Sequence, residues 1–122
     1  MTKEAVLAEL DVLREQVPGV LEAVVASADG LLVAADSEGS RPEVLAALAA
    51  TTLGLGRRAG YEVGMGGLHE VVVRCDRGYM VVYALREEGL LAVVADEGLD
   101  IPALHAGVGP TVERLADVLA EV

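Results

Sequence analysis

Three apolar runs set the fold: Leu68-His69-Glu70-Val71-Val72-Val73-Arg74-Cys75, Tyr79-Met80-Val81-Val82-Tyr83-Ala84-Leu85 and Leu90-Leu91-Ala92-Val93-Val94-Ala95. The segments between them, Asp76-Arg77-Gly78 and Arg86-Glu87-Glu88-Gly89, are only long enough for tight turns. Consecutive strands joined this way run antiparallel, as a meander. In the first run His69 alternates with Val71, Val73 and Cys75 on one face. The second and third runs are apolar on both faces, which predicts a sheet covered on both sides.

Upstream of the meander, Gly64-Met65-Gly66-Gly67 reads as a flexible loop, and before it lies a helix from Pro42 to about Ala59. Ser40-Arg41-Pro42-Glu43 has the pattern of a capping box, with proline in the first turn where its missing N–H is harmless. Gly60 is the expected left-handed stop, which puts Arg57 and Arg58 in the last turn, where cations suit the helix dipole. The middle of this helix, Ala46 to Gly56, is small and apolar almost all round, so it must be covered on more than one side. Its own sheet can cover one face; the other is an apolar patch suited to a partner. Gly54, Gly56 and the alanines would let a second such helix approach closely, which suggests a homodimer.

Val20 to Ser27 and Leu31 to Ala35 read as two strands around the hairpin turn Ala28-Asp29-Gly30. A first helix, Thr2 to Gln16, carries Val6, Leu10, Leu13 and Val17 at helical spacing, with Thr2 as its cap and Pro18-Gly19 as its end. A last helix is capped by Asp100, with Pro102 in its first turn, and Gly107, Gly109 and Pro110 predict a kink or a break there. Helices separating runs of strands give an α+β three-layer sandwich around one five-stranded antiparallel sheet, in the order α-β-β-α-β-β-β-α.

The chain has 122 residues, enough for one domain, 1–122, with a core that needs no staples. Its net charge of −11, from 20 acids against 9 basic residues, repels polyanions and argues against nucleic acid. Three tyrosines are the only aromatics, too few for a base-stacking surface. Eight arginines against the single Lys3 hint at a GC-rich bacterial genome. The acidic N-terminus is no secretory signal, and no apolar stretch is long enough to span a bilayer, so a cytoplasmic protein is expected.

Catalytic chemistry finds little purchase. The lone Cys75 reads as a small core residue, and His69 and His105 as edge or surface positions, with nothing in the spacing to bring thiol and imidazole together. No acid–base pair of carboxylates and no metal motif stands out, so no metal and no cofactor is expected. Gly64-Met65-Gly66-Gly67 precedes a strand rather than following one, and Gly107-Val108-Gly109-Pro110-Thr111 lacks the lysine of a phosphate-binding loop. The residues alone thus show no catalytic constellation, and the second helix, in want of a partner, is their one unusual feature.

The segment Val17-Pro18-Gly19-Val20-Leu21-Glu22-Ala23-Val24-Val25-Ala26-Ser27-Ala28-Asp29-Gly30-Leu31-Leu32 resembles the first hairpin of the roadblock (dynein light chain) family. The alanine-rich second helix, the Leu-His-Glu-Val-Val-Val-Arg strand, Gly-Tyr-Met-Val-Val-Tyr and Leu-Leu-Ala-Val-Val-Ala-Asp follow in the family's order, over roughly residues 3 to 120. The resemblance implies a profilin-like or longin-like fold and a homodimer joined through second helices and third strands. It also implies a regulator or scaffold of a small Ras-like GTPase, as in the family's bacterial members, the MglB type among them. Such members reshape the GTPase's own site and supply no catalytic arginine, so Arg57 and Arg58 are not expected to act as fingers. Carried onto this chain, the interface comprises Leu45, Leu48, Ala49, Thr52, Leu55 and Arg58 of the second helix. His69, Val71 and Val73 of the third strand complete it. Which helical stripe faces the sheet stays open. Besides the GTPase, a sensor-kinase-like protein is an implied partner; a scaffold without GTPase contact and a PAS-like ligand sensor are the alternatives.

Overall fold

The computed structural model describes residues 2–121. Its elements are α1 (Thr2–Gln16), β1 (Val20–Ser27), β2 (Leu32–Asp36), α2 (Pro42–Glu62), β3 (Glu70–Cys75), β4 (Gly78–Leu85), β5 (Gly89–Asp96) and α3 (Ile101–Ala120). The sheet order is β2-β1-β5-β4-β3, with every pair antiparallel. This is the expected α+β sandwich, in the expected order of elements. β5 is central, and Leu90 to Val93 are fully buried, which explains why that run is apolar on both faces.

Alternation along the strands sends one set of side chains to each face. Ala23, Val25, Val81, Tyr83, Leu85, Leu91 and Val93 meet α1 and α3 through Leu10, Leu13, Leu104 and Leu115. Val24, Ala26, Val82, Leu90 and Ala92 meet α2 through Leu45, Ala46, Ala49 and Leu53. The second layer is thin because its side chains are small. At Gly56 a Cβ would lie 2.8 Å from Val71 and 2.9 Å from Leu68, so glycine there lets the helix sit close to the β3 side of the sheet.

Several local expectations are corrected. α2 runs through Gly60 to Glu62; the left-handed residue that follows is Gly64, at φ +68°. Arg57 and Arg58 therefore stand before the last turn rather than in it. No capping box forms: Arg41 is the N-cap, without a side-chain cap, and Ser40 turns its hydroxyl to Glu22 instead. Thr2 is itself helical, and the position before it lies outside the described residues. β2 starts at Leu32 and β3 at Glu70, later than the apolar runs suggest. α3 is one continuous helix through Pro110, with no break. Pro110 and Ala106, whose carbonyl the proline leaves without its usual donor, are both exposed, so water can take that bond. Cys75 is exposed at the end of β3, not in the core. Asp100 caps α3 as expected, accepting from the Ala103 N–H at 3.1 Å. No described helix is long and apolar enough to cross a membrane.

Candidate functional site

α2 has an inner and an outer face. Leu45, Ala46, Ala49 and Leu53 form the inner stripe and are buried against the sheet. Leu45 and Ala49, expected at an interface, are thus taken by the chain's own core. Leu48 and Leu55 point away and are 56% and 69% exposed, with Val44 beside them. Thr51 and Thr52 donate their hydroxyls to the carbonyls of Ala47 and Leu48 at 3.0 and 2.8 Å. These back-bonds satisfy the polar atoms inside the helix, so the threonines need no partner for them and the face is more apolar than its composition.

About 100° separates successive helical residues, which divides the outer face into two flanks. Leu48, Thr52, Leu55 and Ala59 share the flank next to Gly56, whose neighbours are Val71 and Leu68 on the β3 side. Ala47, Gly54, Arg58 and Tyr61 share the other. That side faces the β1–β2 turn, where Gly30 approaches Ala50 and Ala47, and the β4–β5 turn, whose Arg86 carbonyl accepts from Arg57 at 3.2 Å. Outside its own stretch of helix, no atom among the described residues lies within 4 Å of where a Cβ on Gly54 would be.

β3 is an edge strand, paired only to β4. Val71 and Val73 lie opposite Val82 and Met80, on the α2 side and half-buried. Val72 lies opposite Val81, on the α3 side, where neither α1 nor α3 reaches it, and is 43% exposed. His69 is exposed just before the strand, and its carbonyl accepts from Ala84 N at 2.9 Å. The structure thus brings Leu48, Thr52, Leu55, Val71 and Val73 to one side of the molecule, with Arg58 one turn beyond Leu55, toward the other flank.

The chain's two imidazoles do meet, though not with Cys75. His69 and His105 line one cleft of about 190 Å³ with Tyr83, Glu70 and Glu113. Tyr83 Oη lies 2.7 Å from His105 Nδ1. Burial, then the nearby Glu70, raises the tyrosine's pKa well above its usual value, so the phenol stays neutral. No group of three metal-ligating side chains is close enough to hold an ion among the described residues.

One structural residue is unmarked in the sequence. Glu22, nearly buried in β1, accepts from Ser37 Oγ at 2.5 Å, Ser40 Oγ at 2.7 Å, Ser40 N at 2.8 Å and Gly39 N at 3.1 Å. Burial alone would raise its pKa, but these four donors outweigh it and hold the carboxyl at about 2. The knot fixes the loop that delivers the chain into α2. A lone acid in the apolar run Val20 to Ala26 is the only sign of it.

Comparison with known proteins agrees with this geometry. The chain is similar to a solved Roadblock/LC7 domain from Streptomyces avermitilis, at 31% identity and a TM-score of 0.80, over 88% of this chain and 92% of that one. The gliding protein MglB of Thermus thermophilus has the same fold, with a TM-score of 0.88 at 19% identity over 99% and 93% of the two chains. An uncharacterized protein of Methanocaldococcus jannaschii is 28% identical over 100 residues, 81% of this chain and 83% of that one. The Roadblock/LC7 domain profile matches residues 6–95. On that match, which spans well over half of the sequence, the chain belongs to the Roadblock/LC7 family.

Proposed function

We propose that residues 1–122 act as one roadblock-like domain, a cytoplasmic homodimeric regulator of a small Ras-like GTPase that contributes no catalytic side chain of its own. The observation that carries the reading is the outer face of α2 beside the open edge of β3. An apolar helix face and a valine strand with one open edge share one side of the molecule, and no further element among the described residues pairs with that edge. Leu48, Thr52 and Leu55, with His69, Val71 and Val73, are the surface assigned to the second copy. Membership of the roadblock family supports the GTPase as partner, as the resemblance of the sequence implies.

Charge supports the same surface. Residues 41–78 carry five basic and four acidic side chains; the rest of the chain carries four basic and sixteen acidic. Two copies, each at −11, meet with least repulsion through that segment.

The test is a pull-down with this protein as bait, in GDP and in a non-hydrolysable GTP analogue, with retained proteins identified by mass spectrometry. A small GTPase enriched with the analogue is the expected result. Retention of a kinase-like protein and no GTPase would instead make the chain a scaffold.

A further inference from the structure

The arginines divide by location. Each of the three outside residues 41–78 pairs with a carboxylate at 2.7–3.0 Å: Arg14 with Asp36, Arg86 with Glu113 and Asp117, Arg114 with Glu9. None of the five inside it, Arg41, Arg57, Arg58, Arg74 and Arg77, has a carboxylate within 4 Å among the described residues. Such a division is unexpected in a chain with more than two acids for every base.

Two of the unpaired five are adjacent on α2. Arg57 is half-buried, its guanidinium tethered to the Arg86 carbonyl, and it lines a surface concavity of about 690 Å³ with Tyr61, Leu68, Arg86, Glu87 and the Gly64–Gly67 loop. Glu87 shares that concavity without pairing with Arg57. Arg86 is drawn away by Glu113 and Asp117 on α3, so its charge is already met. Arg58 stands exposed on the outer flank, in line with Ala47, Gly54 and Tyr61. Tyr61 is 81% exposed, and Met65 beyond it is 82% exposed. The flank thus offers unpaired guanidinium groups around an apolar and aromatic centre, the composition of an interface anchor. It adjoins the flank assigned to the second copy, since Arg58 stands one turn from Leu55 and Leu68 lies on the β3 side.

We infer that the Arg57–Arg58 flank of α2 docks an acidic, partly apolar surface of the partner protein. This rests on the regulatory reading and adds the chemistry of the partner's contact. Guanidinium groups take carboxylates in a two-pronged fork, and Arg57, held by one donor, keeps the rest of its fork free. Because the remaining surface is strongly acidic, an acidic partner is repelled everywhere else, and orientation as well as attraction follows from the charges.

The test uses the isotope-labelled full chain and two short amphipathic peptides, one of leucine and glutamate, the other with lysine for glutamate. Amide spectra are followed as each is added. The acidic peptide is expected to shift amides between Gly54 and Leu68, with a response that weakens as salt is raised. R57E/R58E, its fold checked by its own spectrum, should raise the peptide's Kd at least about tenfold, and R57K/R58K, which keeps the charge and loses the fork, should weaken binding by less. Absence of shifts in that region, equal binding by R57E/R58E, or preference for the lysine peptide there would overturn the inference. A GTPase recovered by the pull-down whose binding survives R57E/R58E would remove this inference and leave the regulatory reading standing.

Discussion

The two edges of the sheet are finished differently. At β2 the chain closes its own edge. The strand is five residues long, α1 packs along it, Asp36 at its end pairs with Arg14 at 2.9 Å, and Glu22 ties down the loop that follows. At β3 three consecutive valines, flanked by the exposed Glu70 and Arg74, are left with one paired neighbour, one helix and no ion pair among the described residues. An apolar edge is a template for pairing with another chain, and monomeric proteins blunt it with charge, proline or cover. Here β2 is closed by an ion pair, a packed helix and the Glu22 knot, whereas β3 has only its two flanking charges, which is why β3 and the helix beside it read as a contact surface.

The largest effect that would sharpen this contrast is at Glu22. Glu22→Ala leaves the donors of Ser37, Gly39 and Ser40 without their acceptor and should cost about 2–4 kcal/mol of unfolding free energy, measured in urea. The same site sets an acid limit. Its folded pKa, about 2, lies below the ordinary 4.5, so the ionised carboxylate stabilises the fold above about pH 4.5. That contribution drains away as pH falls toward 2. Glu22→Gln should flatten this part of the stability–pH curve; an unchanged slope would show that the knot does not hold the β2 side.

Lysine substitutions on the two edges should separate fold from association. Val33 on β2 packs against the core shared with α1 and α3, so Val33→Lys should lower stability by about 1–2 kcal/mol and leave association alone. Val72→Lys on β3 should do the reverse, changing stability little and weakening self-association about tenfold. Equal behaviour of the two variants would erase the distinction between the edges.

A smaller contrast lies within α2, at two glycines of opposite sign. Gly56→Ala drives a methyl into Val71 and Leu68 and should cost about 1–2 kcal/mol. Gly54→Ala meets nothing outside its own helix among the described residues and should stabilise the isolated fold by about 0.5–1 kcal/mol. Thermal unfolding of the two variants reads both signs. The smallest effect is that of salt: screening the acidic remainder should tighten self-association modestly as sodium chloride rises, and loosening would mean that cross-chain ion pairs dominate.

The elements were legible because each carries its own period: the meander's short runs and glycine turns, and the three-to-four spacing of α1. The inner stripe of α2 was not, because Leu45, Ala49 and Leu53 differ little in kind from Leu48, Thr52 and Leu55; only docking on the sheet separates them. The cap of α2 misled for a similar reason. Ser40 has the right chemistry for a cap, but its hydroxyl donates to the buried Glu22 carboxylate of β1, and Arg41 takes the N-cap position. Gly60 misled because the helix runs two residues past it, and Gly64 is the glycine that takes the left-handed conformation. Cys75 was placed inside because a free cysteine is usually buried, yet it stands exposed at the end of an edge strand. The unpaired arginines are invisible in sequence, since pairing is a property of the folded surface.

The most direct test of the contact surface is sedimentation equilibrium of the wild-type chain and of L48E/L55E at micromolar concentration. Both leucines are largely exposed, so the variant should keep its fold, as circular dichroism would verify. The expected result is a wild-type dimer and a folded monomeric variant. A wild-type monomer, or a variant that dimerises as well as the wild type, would contradict the account.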